Sequence, residues 1–298
     1  MEFFANLPEF STVISQIFVG LSRSMILFMV AVGLTVSIGV LRVINFANGT
    51  FYMLGAFTAW SVALWVGGTA GFWVALLIAP LVVGLLGLAV EAGLLRRLYN
   101  RPRLMQLLLT YAVVLLFNDV TKLIWGVDFK SMRAPLSGYI TFFDGLLYMP
   151  SYNMLLLISG PLVAAGLWYF INHTMTGKIV RATATDREMV DALGLNSNKI
   201  FAIVFMLSCY LAGLGGALIA PTTNIVVGMG MTILINAVLV VVVGGLGNIW
   251  GAFLASLIFG VGESLGLLIA PRFAIVFPFA IATILLILKP TGIMKSVW

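Results

Sequence analysis

Residues 10–41 read FSTVISQIFVGLSRSMILFMVAVGLTVSIGVL, a continuous apolar run in which Arg23 is the only charged residue. About 20 apolar residues are enough for an α-helix to cross the hydrocarbon core of a bilayer. The rest of the chain has the same character, since 62% of its 298 residues are apolar and only 9% are charged. An ordinary soluble domain has about 25% charged residues. The composition therefore predicts a membrane protein and excludes a soluble enzyme.

Further apolar segments follow, each separated from the next by polar residues. They are continuously apolar and do not alternate, which favours helices over spanning strands. The first segment is long enough to be split around Arg23, and the seventh ends in a glycine cluster, so we expect eight or nine spans. We predict an all-α integral membrane protein, a polytopic helical bundle with broken or re-entrant segments, forming one transmembrane domain over residues 1–298. The later segments run at about 50–66, 72–95, 104–125, 153–172, 200–220, 232–249, 251–270 and 273–289.

The distribution of Lys and Arg indicates the orientation, because cytoplasmic loops carry the excess of these residues. Nine spans with an external N-terminus leave only Lys130, Arg133 and Arg272 in outer loops. Residues 1–10 contain no Lys or Arg, so they lack the basic region of a cleavable signal peptide, and we expect the first segment to remain in the protein. The C-terminus is then cytoplasmic. The cytoplasmic set is Arg42, Arg96, Arg97, Arg101, Arg103, Lys178, Arg181, Arg187, Lys199, Lys289 and Lys295.

Two connections are longer than usual. The outer one, at about 126–152, contains Pro135 and Gly138 and has no helical period, so we interpret it as an external cap. The inner one spans about 173–199 and is expected to lie in the cytoplasm.

The inner loop contains the signals of a short helix. Thr185 and Glu188 fit the S/T-x-x-E pattern, in which the two side chains satisfy free amides at a helix start. Met189 and Leu193 share one face of the turn that follows, and Gly194 stands where a helix ends. These signals predict an amphipathic helix at about 186–193, which either connects two spans or docks a partner.

Several charged residues lie inside candidate spans, where a charge is costly in lipid. Asp119 and Lys122 are spaced i, i+3 and can neutralise each other. Glu91 can reach the basic residues near Arg96. Glu263 lies within a G-x-x-x-G pattern at 262–266, whose small residues allow close helix packing. Glu263 is either a pathway or gating residue or a buried, hydrogen-bonded carboxyl group.

Two polar interruptions stand at corresponding places near the two ends of the chain. Residues 45–50 read NFANGT and residues 244–248 read GGLGN, and each interruption is followed by Gly-Ala-Phe. Interrupted apolar segments in two halves of a chain indicate a transporter whose unwound helices line a substrate path. The candidate path residues are Asn45, Asn48, Gly49, Gly244, Gly245, Gly247, Asn248 and Glu263.

The sequence lacks motifs for metal binding, nucleotide binding and hydrolysis. The chain has one His, His173, and one Cys, Cys209, so it cannot assemble a thiolate or imidazole metal cluster. It contains no G-x-x-x-x-G-K-[ST] phosphate loop and no G-x-S-x-G elbow. We therefore assign no catalytic residue, no metal and no cofactor to this chain, and any ATP would be hydrolysed by another polypeptide. The basic residues lie in short loops, so no nucleic acid partner is expected.

Four motifs occur in an order that resembles a known family. They are the stretch from Gly33 through INFANG at 44–49, GKIVRATATDREMVDALGLN at 177–196, VGGLGNIWG at 243–251 and KPTG at 289–292. With them the chain resembles the permease subunits of bacterial branched-chain amino-acid ABC importers, in particular the shorter of the two paired permeases. Asn48, where many relatives have His, and Arg23 depart from the family pattern.

The resemblance implies a permease domain in the bacterial inner membrane, paired with a second, longer permease. It also implies two cytoplasmic ATP-binding subunits, which bind ATP and Mg²⁺, and an external solute-binding protein. Amide and backbone dipoles, as at Asn45, Asn48 and Asn248, would suit a zwitterion with an aliphatic tail. The helix of the inner loop would be the coupling helix seated in an ATPase groove. Its coupling residues would be Arg181, Ala182, Thr185, Asp186, Glu188, Met189, Leu193 and Gly194.

Two alternatives remain at this level. Permeases of the same kind carry urea, short amides or aromatic acids, and the sequence does not separate these solutes from branched-chain amino acids. A different class is an ion-coupled secondary transporter with Glu263 or Asp119 as the proton carrier.

Overall fold

The structure, a computed structural model, describes residues 10–43, 45–99, 101–142 and 147–294. Residues 1–9 and Lys295, which the orientation argument uses, and Ile44 of the INFANG motif lie outside these ranges. The α-helices are α1 (Phe10–Leu41), α2 (Ala47–Val66), α3 (Gly68–Gly93), α4 (Arg103–Trp125), α5 (Ser151–His173), α6 (Met175–Thr185), α7 (Arg187–Ala192), α8 (Ser197–Ile219), α9 (Met229–Gly244), α10 (Ile249–Ile269) and α11 (Val276–Leu288).

Each of the nine predicted apolar segments forms a helix, which confirms the all-α polytopic architecture. Seven of these helices are long and apolar enough to cross a membrane, so the protein is a multi-pass membrane protein. The other two, α9 and α11, have 16 and 13 residues. At 1.5 Å per residue they are shorter than the roughly 30 Å hydrocarbon core. The seventh predicted segment is therefore a short helix, as its glycine-rich end suggested.

The first helix is the central element of the bundle. It runs unbroken for 32 residues, so the possible split at Arg23 does not occur, and Arg23 is exposed on its surface. Its middle third is almost wholly buried against α8, α10 and α5. Small residues allow the close approach to α10, because a Cβ on Gly20 would contact Ser264 and one on Gly260 would collide with Ser24.

The helix α8 is the second central element, and its small residues pack against two neighbours. Gly216 lies against the backbone carbonyl of Tyr52 on α2, and Gly213 lies against Val83 on α3. Gly55 of α2 in turn faces the backbone of Gly213. A side chain at any of these positions would separate the helices, so the small-residue stripe of α8 sets the spacing of α2 and α3.

The chain returns into the bundle between α1 and α2. Arg42 has a positive φ of 56°, which is uncommon for a residue other than glycine. Asn48, in the first turn of α2, hydrogen-bonds to Val30 of α1 and to Ser208, at the middle of α8. The start of α2 therefore lies about halfway along the neighbouring helices, deep in the bundle. The predicted broken segment at 45–50 is a helix break followed by a helix that starts at this depth.

The outer connection at 126–152 is more ordered than the predicted irregular cap. It contains the antiparallel strands β1 (Tyr139–Phe142) and β2 (Leu147–Pro150), which pair between Tyr139 and Pro150 and between Phe142 and Leu147. A bridge joins Lys130 to Ile225, in the loop before α9. The hairpin was missed because its strands have four residues each, too few for a clear alternation in the sequence.

The inner connection at 173–199 contains two helices where the sequence predicted one. The helix at 186–193 is present as α7, and the preceding residues 175–185 form the unpredicted α6. Thr174 caps α6 by accepting a hydrogen bond from the amide of Gly177. The buried face of α6, which includes Val180 and Ala184, packs against α1 and α8.

Candidate functional site

The start of α7 differs from the predicted capping box. Asp186 has an extended backbone and accepts a 3.0 Å hydrogen bond from the amide of Met189. Thr185 is instead the last residue of α6, and its hydroxyl donates to the carbonyl of Arg181 at 3.1 Å. The prediction that Thr185 and Glu188 form the cap was therefore wrong. Because α6 extends through Thr185, the first residue free to act as an N-cap is Asp186.

The end and the exposed face of α7 follow the sequence prediction. Gly194 has a φ of +80°, and the amide of Leu195 reaches back to the carbonyl of Val190 at 3.2 Å, which closes the last turn. Met189 is 60% exposed and Leu193 is 71% exposed. This exposed apolar pair is a candidate contact for a partner.

Polar contacts fasten α7 to the beginning of α8. The Arg187 guanidinium donates to Ser197 at 3.1 Å and lies 4.9 Å from the centre of the Phe201 ring. The Asp191 carboxylate accepts hydrogen bonds from the amide and the hydroxyl of Ser197, both at 3.0 Å. These bonds lower the pKa of Asp191 below its usual value. The small helix is therefore held as one unit with the span that follows it.

Two further predicted residues lie on α6. Arg181 donates to the side-chain oxygen of Asn172, at the end of α5, at 3.1 Å, and Ala182 is exposed. Gly177 lies against the carbonyl of Phe170 and leaves no room for a side chain. Side-chain contacts thus join α5 to α6 and α7 to α8, while Asp186 ends α6 and caps α7.

The first break holds one orphaned polar atom. Asn45 is 2% exposed, and its side-chain oxygen accepts from the amide of Ala47 at 3.0 Å. Its Nδ2 has no hydrogen-bond partner. Asn48 is fully buried and uses both ends of its amide, donating to the Val30 carbonyl at 3.1 Å and accepting from the Ser208 hydroxyl at 3.2 Å. The two asparagines of NFANGT therefore occupy different environments.

The neighbouring Gly49 brings another helix close. Its Cα faces the carbonyl of Gly230, at the start of α9, and Gly230 faces Gly49 in the same way. The first turns of α2 and α9 therefore touch backbone to backbone, which only glycine at both positions permits.

The second break is a tight corner between α9 and α10. Gly244 packs against Gly251, and Gly245, with a φ of +104°, lies against the Met294 carbonyl. The side chain of Asn248 caps α10 by accepting from the amide of Gly251 at 3.0 Å. Gly247, also at positive φ, completes the turn.

The KPTG turn closes over this corner. The amide of Ile293 donates to Val243 at 2.7 Å, and that of Met294 donates to Gly244 at 3.3 Å. The motifs VGGLGNIWG and KPTG, which are some forty residues apart in the sequence, thus form one packed unit.

The charged residues of the spans are placed as follows. Lys122 and Asp119 form the expected ion pair at 2.9 Å on the exposed face of α4. Glu263 is partly buried on α10, and the flanking glycines Gly262 and Gly266 face Ile281 and Phe277, so this G-x-x-x-G face packs towards α11. Within the described ranges, no group of three His, Cys, Asp or Glu side chains could hold a metal ion.

Glu91 is the most buried carboxylate that the structure describes. It is fully buried and bonded to Arg96 at 3.1 Å, as predicted. It also accepts a 2.8 Å hydrogen bond from the hydroxyl of Tyr99, which was not predicted. Burial, together with the Glu91 carboxylate, raises the pKa of Tyr99. This cluster fixes the turn between α3 and α4.

Comparisons with known proteins agree with the motifs. The high-affinity branched-chain amino acid transport system permease protein BraD of Pseudomonas aeruginosa is 28% identical over 230 residues, which are 74% of this chain and 75% of BraD. LivH of Escherichia coli K12 is 26% identical over 238 residues, 73% of this chain and 74% of LivH. LivM of the same organism is 26% identical over 223 residues, 68% of this chain and 52% of LivM. No solved structure matches.

The family described as "branched-chain amino acid transport system / permease component" matches residues 16–288, which include both helix breaks, the inner loop and nearly all of the described helices. The chain therefore belongs to this family of membrane transport permeases.

Proposed function

We propose that the chain is the transmembrane permease subunit of a bacterial ATP-driven importer, and that its solute is a branched-chain amino acid. The family match and the names of BraD and LivH support this function. The similarity to LivM, named as a permease of such a system, supports pairing with a second permease of the same family. ATP hydrolysis is assigned to separate subunits, and delivery of the solute to an external binding protein.

The observation that carries the proposal is the inner loop. The exposed pair Met189 and Leu193 belongs to a helical segment that Asp186 caps and that Arg187 and Asp191 fasten to the adjoining span. A partner that moves this pair moves α8 with it, because the contacts leave little freedom between them. We assign α7 to the groove of an ATP-binding subunit, with Arg181, Ala182, Glu188 and Gly194 beside it.

We place the solute path at the first break. Asn45 offers a buried amide donor without a partner, which suits the carboxylate of an amino acid. Asn48, whose amide is fully used, positions the start of α2, and Gly49 keeps α2 against α9. The predicted path residues Gly244, Gly245, Gly247 and Asn248 form the α9–α10 corner, to which we assign support of the path without solute contact, and Glu263 lies farther along α10.

The membrane is the bacterial inner membrane in this proposal, with the N-terminus outside and the C-terminus in the cytoplasm. The Lys and Arg distribution supports this orientation, because the inner loop and the η1 segment (Leu95–Leu98) then face the cytoplasm. Urea, short amides and aromatic acids remain alternative solutes. An ion-coupled carrier is less supported, because Asp119 is already paired with Lys122.

Reconstitution tests the proposal. The chain, its paired permease, the ATP-binding subunits and the binding protein are placed in liposomes, and leucine uptake and ATP hydrolysis are measured. We expect uptake to require ATP and loaded binding protein. Uptake by the chain alone under an ion gradient would contradict the proposal.

A double variant tests the coupling role. Met189→Asp with Leu193→Asp places charges in an apolar contact, so we expect uptake and stimulated ATP hydrolysis to fall to background. The matched control is Met175→Asp, since Met175 is 74% exposed at the start of α6, on the same inner loop. Full stimulation in the double variant, or equal loss in the control, would exclude α7 as the coupling element.

A further inference from the structure

A cavity of about 450 Å³ lies where the end of α1, the start of α4 and the α6–α7 junction meet. Met189 and Leu193, the exposed pair of α7, do not line it. Its walls include apolar side chains from three elements, among them Val40, Val43 and Phe201. The exposed apolar pair therefore lies outside the cavity, whereas residues 183–188, which include the predicted coupling residues Thr185, Asp186 and Glu188, form one of its sides.

A buried side chain in this cavity has an unused acceptor. Gln106 is 4% exposed and lines the cavity. Its Nε2 donates to the carbonyls of Leu98 at 2.9 Å and Arg101 at 3.3 Å, which fixes the amide in place. Its Oε1 receives no hydrogen bond. A buried acceptor without a donor is costly, so a ligand that supplies a donor would be stabilised here.

The cavity is lined by charged residues of both signs, and the guanidinium groups outnumber the carboxylates. Arg42, Arg101 and Arg103 come from the end of α1 and the start of α4. Arg42 donates to the carbonyl of Ala184 at 3.0 Å, whereas Arg101 and Arg103 make no side-chain hydrogen bond or ion pair with the described residues. Arg187, the fourth cation, is already committed to Ser197 and Phe201.

The acidic groups of the lining lie at the α6–α7 junction, beside Arg187. They are Asp186, one of whose oxygens caps α7, and Glu188, which is exposed and makes no hydrogen bond or ion pair within the part of the chain that the structure describes. The lining carries four guanidinium groups and two carboxylates, so it attracts an anionic group, while Glu188 and the unused Oε1 of Gln106 can receive a positively charged donor. A molecule that bears an ammonium group next to an anionic group fits this lining, and the apolar walls suit an aliphatic tail.

We propose that this cavity binds a small zwitterion, the free branched-chain amino acid on the cytoplasmic side of the membrane. Its ammonium group would donate to Gln106 Oε1, with Glu188 nearby, and its carboxylate would accept from Arg103 and Arg101. The bound amino acid bridges the α6–α7 junction to α1 and α4, so it holds the coupling element still and slows the ATP-driven cycle. The site is thus a sensor of accumulated product. This inference rests on the proposed function, which supplies the solute and the sidedness.

The test uses the reconstituted complex in vesicles of phosphatidylcholine and phosphatidylglycerol, with binding protein and leucine inside and the ATP-binding subunits outside. Leucine is then added outside at millimolar concentration, and ATP hydrolysis is compared with the same preparation before addition. We expect hydrolysis to fall. Leucinol, which lacks the carboxylate, and 4-methylpentanoate, which lacks the ammonium group, should inhibit much less.

Variants locate the effect. Arg103→Ala and Gln106→Leu should each raise the leucine concentration for half-inhibition by about tenfold, the factor expected for one lost charge-assisted hydrogen bond. Each variant is normalised to its own uninhibited rate. Arg97→Ala is the matched control, because Arg97 is an exposed arginine of the adjacent turn that does not line the cavity.

The outcomes separate this inference from the proposed function. If hydrolysis is not stimulated by loaded binding protein before external leucine is added, the proposed function fails. If stimulation is normal and external leucine has no effect, or inhibits both variants as it inhibits the unmodified chain, the product site is overturned. The headgroup of phosphatidylethanolamine also carries one positive and one negative charge, so a further experiment uses vesicles that contain this lipid. Inhibition by this lipid without any response to leucine would overturn the amino-acid assignment.

Discussion

The two helix breaks look alike in the sequence and differ in the structure. Both are polar or glycine-rich interruptions followed by Gly-Ala-Phe. The break before α2 contains a buried amide donor without a partner and an arginine at positive φ. The break before α10 is closed by a side-chain cap and by two backbone hydrogen bonds from the KPTG turn.

This difference indicates that the first break can contact the solute and that the second break has a structural role. A buried polar group without a hydrogen-bond partner destabilises the fold, so it points to a functional role, whereas a hydrogen-bonded one stabilises the fold. The first break is thus the better candidate for solute contact, and the second is a rigid corner. Four predictions test the contrast.

The largest effect is expected at the second break. Gly245→Ala forces a residue with a Cβ to a φ of +104° and places that Cβ against the Met294 carbonyl. We expect the free energy of unfolding to fall by about 3 kcal/mol or more. Gly126→Ala is the control, since Gly126 has a φ of +78° but nothing within 4 Å of an added Cβ. Thermal unfolding of the purified complex measures the stability of both variants. Equal losses of stability would show that the corner is not tightly packed.

The next effect concerns the anchor of the first break. Asn48→Leu removes the bonds to Val30 and Ser208 and should lower the free energy of unfolding by about 2–3 kcal/mol. Ser208→Ala and the double variant complete a cycle, in which the pair should be clearly non-additive because they share a bond. Additive losses would mean that the two side chains do not interact.

The third effect separates transport from stability. Asn45→Ala loses one hydrogen bond, to Ala47, so we expect a loss of stability of only about 1 kcal/mol. If its Nδ2 serves the solute, leucine uptake should fall by about tenfold, the effect of one hydrogen bond to a charged group. Uptake that follows stability alone would remove Asn45 from the path.

The smallest effect belongs to the matching asparagine of the second break. Asn248→Ala removes the cap on Gly251 and should also lower the free energy of unfolding by about 1 kcal/mol. Leucine uptake per folded complex should stay near that of the unmodified chain. A loss as large as that of Asn45→Ala would make the two breaks equivalent.

Local signals predicted much of the molecule. Apolar runs gave the nine helices, because a span must be apolar along its whole length. Gly194 predicted the end of α7, and the i, i+3 spacing predicted the Asp119–Lys122 pair. These features depend on residues a few positions apart.

Features that depend on distant partners were missed. The capping residue was misplaced by one position, because α6 packs on α1 and α8 and therefore extends to Thr185. No sequence pattern indicates the hairpin at 139–150 or the hydrogen bond between Tyr99 and Glu91. The cavity beside Gln106 combines three elements that are separated by scores of residues.

The sequence by itself determined that this protein lies in the membrane, where its apolar helices are and which residues could carry function, because hydrophobicity and helix signals are properties of short stretches. Only the tertiary structure decided what those residues do. Asn45 and Asn248 have the same side chain, and each lies in a break of an apolar run. Packing leaves the Nδ2 of one without a partner and makes the other a helix cap, because hydrogen-bond satisfaction depends on neighbours brought together by folding.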